Sequence, residues 1–81
     1  MYTLSMYRTL NTDNVQDTTG FPGGEFYHGV DEGKLIHLYE IDDEGYICND
    51  FILDPEDVEL LPGTGRQIVI EDNFIKLVKK A

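Results

Sequence analysis

Along Tyr2 to Leu10 the side chains alternate. Tyr2, Leu4, Met6 and Arg8 fall on one side, and Thr3, Ser5, Tyr7 and Thr9 on the other, the period of two of a first β-strand. A polar stretch follows from Asn11 to Gly24 and closes on Gly20-Phe21-Pro22-Gly23-Gly24. Glycine admits positive φ there and Pro22 fixes its own, so the pattern predicts a long irregular loop, of the kind that carries function or moves.

Beyond it the apolar runs are short and separated by turn residues. Glu25 to Val30 reads as a second strand, ended by Asp31-Glu32-Gly33. Lys34 to Ile41 is the strongest strand, with Leu35, Ile36, Leu38, Tyr39 and Ile41 as its apolar content. Asp42-Asp43-Glu44-Gly45 predicts a hairpin, with Gly45 in the left-handed position. Tyr46 to Leu53 then returns as partner strand, placing Tyr39 or Ile41 opposite Tyr46 or Ile47. Asp54-Pro55-Glu56-Asp57 predicts one capped helical turn, with Asp54 as N-cap and Pro55 at its first position. Val58, Leu60 and Leu61 form a brief apolar segment before Pro62-Gly63, and Arg66 to Glu71 is a further strand. Residues Asp72 to Ala81 fit two descriptions. One is a helix with Lys76, Lys79 and Lys80 at its C-terminal end. The other is a strand paired to Gln67–Glu71 across an Asp72-Asn73 turn, favoured because so short a helix is marginal alone.

The expected class is all-β, or mainly β: a small barrel of five or six strands with one helical turn near residues 55–58. The order of long early loop, tight central hairpin and then LDPEDVELLP at Leu53 to Pro62 resembles the Src-homology-3-like small barrels. In those a single helical turn precedes the last strand and a valine packs into the core, the places taken here by Pro55 and Val58. The resemblance covers residues 21–62. The family's peptide groove relies on a tryptophan and this chain has none, so the resemblance implies the fold alone.

Composition narrows the function. With 81 residues and 9.2 kDa the chain reads as one domain, 1–81. Sixteen acidic and six basic residues give a net charge of −10, which argues against direct nucleic-acid binding and against docking on anionic membranes. No apolar run nears the ~20 residues of a membrane span. Cys48 is alone, so no internal disulfide is expected. It reads as a buried, inert thiol in a cytoplasmic protein.

Candidate chemistry is sparse. Glu40, Asp42, Glu44 and Gly45 match the first positions of a calcium loop, but Phe51 stands where a bidentate glutamate belongs. His28 and His37, with Cys48, have no zinc spacing, and each histidine reads as half-buried with a hydrogen bond. Gly20–Gly24 and Pro62–Arg66 lack the Lys-Ser/Thr pair of a phosphate loop. The pairs Asp42/Glu44 and Glu56/Asp57 read as solvated, without the apolar pocket that acid-base work needs. No enzyme, metal or cofactor is expected.

Charge placement is the distinctive feature. From Thr9 to Gly65 there are 14 acids and one base, Lys34; from Arg66 to Ala81 there are two acids and four bases. Alternate strand residues lie roughly 6.6 Å apart on one side, a spacing on the scale of successive phosphates. Glu40, Asp42 and Glu44 are expected to form such a row, with Asp31, Glu32 and Asp43 at nearby turns and Asp50, Asp54, Glu56 and Asp57 beyond. Such an array suits a partner protein with a basic, nucleic-acid-binding surface. In size and charge the chain resembles, as a physical type, the small acidic inhibitor proteins that bacteriophages direct at host enzymes or defence systems. The alternative is an adaptor or subunit of a larger assembly, with an apolar contact through Tyr2, Tyr7, Phe21, Phe26, Tyr27 or the tail. A homodimer through a strand edge guarded by Lys76, Lys79 and Lys80 is the third option.

Overall fold

A computed structural model describes residues 1–78. Its elements are β1 (Tyr2–Thr9), α1 (Asp13–Thr19), β2 (Phe26–Asp31), β3 (Ile36–Ile41), β4 (Ile47–Leu53), a 3-10 turn (Pro55–Asp57), β5 (Val58–Leu60), β6 (Arg66–Glu71) and β7 (Phe74–Leu77). All strand pairings are antiparallel.

β1 is the hub. β2 runs along one of its edges, from Leu4↔Val30 to Arg8↔Phe26. The other edge is shared: β6 takes the first half (Tyr2↔Ile68) and β5 the second (Thr9↔Val58). The sheet order is β4-β3-β2-β1-β6-β7. It curls into a half-barrel whose ends touch once. Tyr46 bridges Phe74, the Ile47 N–H donates to Asn73 O (2.7 Å), and the Ile75 N–H donates to Gly45 O (2.9 Å).

Strand alternation explains why the central segments are apolar on both sides. Tyr7, Tyr27, Ile36, Leu38, Leu53 and Val58 share one face and form a cluster with Val15 of α1. Leu4, Val30, Tyr39 and Ile68 share the other, the inside of the curl, where Ile41, Ile47, Ile70 and Ile75 pack against them. Gly29 lies where β2 crosses the first cluster. A Cβ there would meet Leu38 Cδ2 at 2.8 Å and Tyr7 Cδ2 at 2.9 Å.

The mainly β class, the helical turn and the central hairpin stand as expected. Ile41 pairs with Ile47, with a bulge after Glu40, and Gly45 has φ 100°. The strands number seven rather than five or six. Two of them, β6 and β7, follow the short strand after the helical turn and cover the second face. Asp72 and Asn73, both at positive φ, make the tight turn that returns the chain as β7. The expectations for Lys79 and Lys80 lie outside the described residues.

Three expectations are corrected. The loop from Asn11 to Gly24 contains α1. Thr12 caps it by accepting the Val15 N–H (3.1 Å), and Gly20, at φ 81°, ends it by donating to Gln16 O (2.9 Å). With Val15 as its only large apolar residue, α1 shows no helical periodicity. Cys48 is exposed rather than buried, its thiol donating to Glu40 O at 3.3 Å. It sits at the β4 bulge, where the ladder slips and the residue turns outward. His28 is exposed; only His37 is half-buried and hydrogen-bonded.

Candidate functional site

The carboxylates do not form one row. Asp31 and Glu32 stand at the β2–β3 turn, and Asp42, Asp43 and Glu44 at the β3–β4 turn. The six residues of β3 hold these groups roughly 20 Å apart. Asp42 breaks the expected line from Glu40 to Glu44, because its Oδ1 accepts the N–H groups of Glu44 and Tyr46, both at 2.9 Å. Asp31 Oδ1 likewise accepts the Gly33 N–H at 2.8 Å. Both are aspartates holding their own turns. Glu40 is half-buried, 3.5 Å from Asn49 Nδ2. Asp54 and Glu56 are exposed on the 3-10 turn.

Asp57 leaves the outward-facing set altogether, being 5% exposed. Thr12 Oγ1 donates to its Oδ1 at 2.8 Å; Asn14 Nδ2 (2.6 Å) and the Asp54 N–H (3.3 Å) donate to its Oδ2. Asp57 is a staple between the start of α1 and the 3-10 turn.

Asp50 belongs to a constellation that the sequence pattern did not isolate. It faces His37 Nε2 at 2.6 Å, while Glu32 Oε1 lies 3.8 Å from Nδ1 of the same ring. Tyr39 stacks on His37, ring centres 4.4 Å apart. Burial raises the Tyr39 hydroxyl above its ordinary pKa, and the charges of Glu32 and Asp50 add to the effect. Tyr7 and Tyr27 are raised too, first by burial and then by nearby carboxylates: Asp31 for Tyr7, and Glu40 and Glu25 for Tyr27. His37 and Asp50 are thirteen residues apart; only the β3–β4 register, Tyr39↔Asp50, makes them neighbours.

Two hollows open onto the inner face of the curl. One, of about 390 Å³, lies at the seam between β4 and the β6–β7 hairpin, lined by His37, Tyr39, Ile47, Asp50, Ile70 and Asn73 among others. The second, of about 440 Å³, is bordered by Met6, His28, Ile41 and two exposed rings, Phe21 (54% exposed) and Phe26 (56%). His28 and His37 project to the same face, since His28 pairs with Tyr39. Among the described residues no group of three His, Cys, Asp or Glu side chains is gathered as a metal would need.

Basic groups do little to neutralise this surface. Among the described residues Arg8 pairs with Glu59 (2.9 Å) and Lys76 with Glu71 (3.6 Å), all four exposed. None of the sequence-selected carboxylates meets a Lys or Arg there; Asp50 and Glu32 face the His37 ring. No helix is long and apolar enough to cross a membrane among the described residues. No family model, no curated protein and no solved structure matches the chain.

Proposed function

We propose that this domain is a protein-binding module that meets a basic surface on a partner protein and occludes it. In its finer form the occluded surface is a nucleic-acid-binding groove, the mode of small acidic phage inhibitors. The observation that carries the proposal is the unneutralised field. The sequence-selected carboxylates lack Lys or Arg partners among the described residues, while a net charge of −10 costs a small fold stability through self-repulsion. The two acidic turns are the contact points. Held at opposite ends of β3, they reach separate cations of one groove, and the sheet between them fixes their spacing. Association driven this way is fast and strongly salt-dependent.

The exposed Phe21 and Phe26 around their hollow favour a second reading, an adaptor with an apolar contact. Salt separates the two. Raising it from about 50 to about 300 mM shortens the Debye length from roughly 14 Å to roughly 6 Å. Capture from bacterial lysate, quantified by mass spectrometry at both salts, is the assay, with lysine substitutions at Asp43 and Glu44, whose side chains take no part in the turn, and alanine at Phe21 and Phe26. Charge-driven partners are lost at high salt and from the lysine variant. Partners that survive both and vanish with the phenylalanines overturn the acidic reading.

A further inference from the structure

We infer that the free edge of β4 is a strand-docking site for an extended basic segment of the partner protein. The inference rests on the basic-partner reading above and names where that partner is gripped.

β4 ends the sheet path, and beyond Ile47 no described strand pairs with its outer edge. The direction of that edge follows from one hydrogen bond. The Asp50 N–H donates to the side chain of its own neighbour, Asn49 Oδ1, at 2.9 Å. It therefore points away from β3, and Tyr39↔Asp50 is a non-hydrogen-bonded pair. By alternation His37↔Ile52 is one also, so the N–H and C=O of Ile52 face outward beside those of Asp50. Edges of this kind template a further strand unless Lys, Pro or a cover blocks them. The sequence of β4, ICNDFIL, contains no Lys, Arg or Pro. α1 packs beside β4 with Val15 in the cluster that holds Leu53, on the face opposite Asp50 and Ile52, and makes no backbone hydrogen bond to it.

The hollow beside this edge sets the chemistry of the incoming side chains. Asp50 and Glu32 flank the single His37 ring. Two carboxylates around one imidazole leave at least one net negative charge whether or not the ring is protonated. A Lys or Arg of the docked strand enters here. Its neighbour two residues along lies over Ile52, half of whose surface is exposed and apolar. The occupant thus carries a basic and a β-branched residue two positions apart on one face, held through its backbone and selected by its charge.

The test is NMR on the isotope-labelled full chain at low salt, with the peptide acetyl-Lys-Thr-Val-Thr-Lys-amide as probe, whose Lys and Val side chains share one face two residues apart. Two comparison peptides accompany it: one with Glu for Lys, and one N-methylated at the alternate amides of its pairing edge. At saturation the Lys peptide should shift the Asp50 and Ile52 amides and slow hydrogen exchange at Ile52 at least roughly tenfold. The N-methylated peptide should bind about tenfold more weakly, as expected for the loss of one or two hydrogen bonds, and the Glu peptide should not bind. Binding of the Lys peptide without protection at Ile52, or equal binding of its N-methylated twin, overturns the strand-docking inference and leaves the basic-partner reading standing. Absence of Lys-peptide binding overturns both.

Discussion

Replacing Asp57 separates two opposed forces in a chain this acidic. Removing a negative charge from a molecule of net charge −10 relieves repulsion. Asp54 and Glu56 are the near like charges in sequence. At a separation of about 8 Å in water each contributes roughly 0.5 kcal/mol before salt screening. Against this stand three donors, from Thr12, Asn14 and Asp54, that converge on the buried carboxylate. Hydrogen bonds to a charged acceptor contribute about 1.5–3 kcal/mol when well formed. The 3.3 Å bond is weak and the donor residues, unlike Asp57 itself, reach solvent, so the set contributes about 3 kcal/mol. Hydrogen bonding wins, and Asp57→Ala should cost about 2–3 kcal/mol. The whole fold, at 81 residues, is worth roughly 4–12 kcal/mol. Asp57→Asn should cost only about 1 kcal/mol. Its carbonyl can keep the Asn14 and Asp54 donors, while the Thr12 hydroxyl rotates to accept from its amide. Urea unfolding followed by circular dichroism reads the difference. With m near 1 kcal/mol/M, the alanine variant moves its midpoint down by about 2 M. Hydrogen exchange should locate the loss in α1, at Val15 and Gln16. A midpoint unchanged or raised by Asp57→Ala would refute the reasoning and show that charge relief dominates.

Two further outcomes follow from the packing and the tyrosines. Gly29→Ala forces a Cβ against Leu38 and Tyr7 with its φ outside the left-handed region, so its cost is steric, about 1–3 kcal/mol, and thermal unfolding should show it. Tyr7, Tyr27 and Tyr39 are all raised above 10.0, chiefly by burial. Above pH 10 the unfolded chain therefore releases their protons before the folded one does. Stability is complete below pH 10 and falls as pH rises toward the folded values. Urea midpoints between pH 8 and 11 should show this decline, and Tyr39→Phe should flatten it; a flat wild-type profile contradicts the burial argument.

Strands whose apolar residues outnumber one face were the legible part of the chain. Ile36, Leu38 and Tyr39 announce β3 because both sides of it are buried, and Asp42-Asp43-Glu44-Gly45 announces its turn. α1 was hidden because its caps, Thr12 and Gly20, enclose a single core residue, Val15. The exposure of Cys48 was hidden because a one-residue bulge reverses the facing that simple alternation assigns. In the candidate site the acids themselves were legible, but their employment was not. Asp31, Asp42 and Asp57 spend their oxygens on backbone and side-chain donors that only the folded chain brings near.

The amino-acid order alone settled the β-rich class, the central hairpin, the 3-10 turn at Pro55 and the excess of negative charge. Each of these depends on residues close together in the chain: side-chain alternation, proline and glycine dihedrals, a count of charges. The tertiary structure decided which carboxylates face outward, that His37 stands between Asp50 and Glu32, and that β4 keeps an open edge. Those depend on strand register and on the curl of the sheet, which arise from packing between segments far apart in the chain, so no local pattern encodes them.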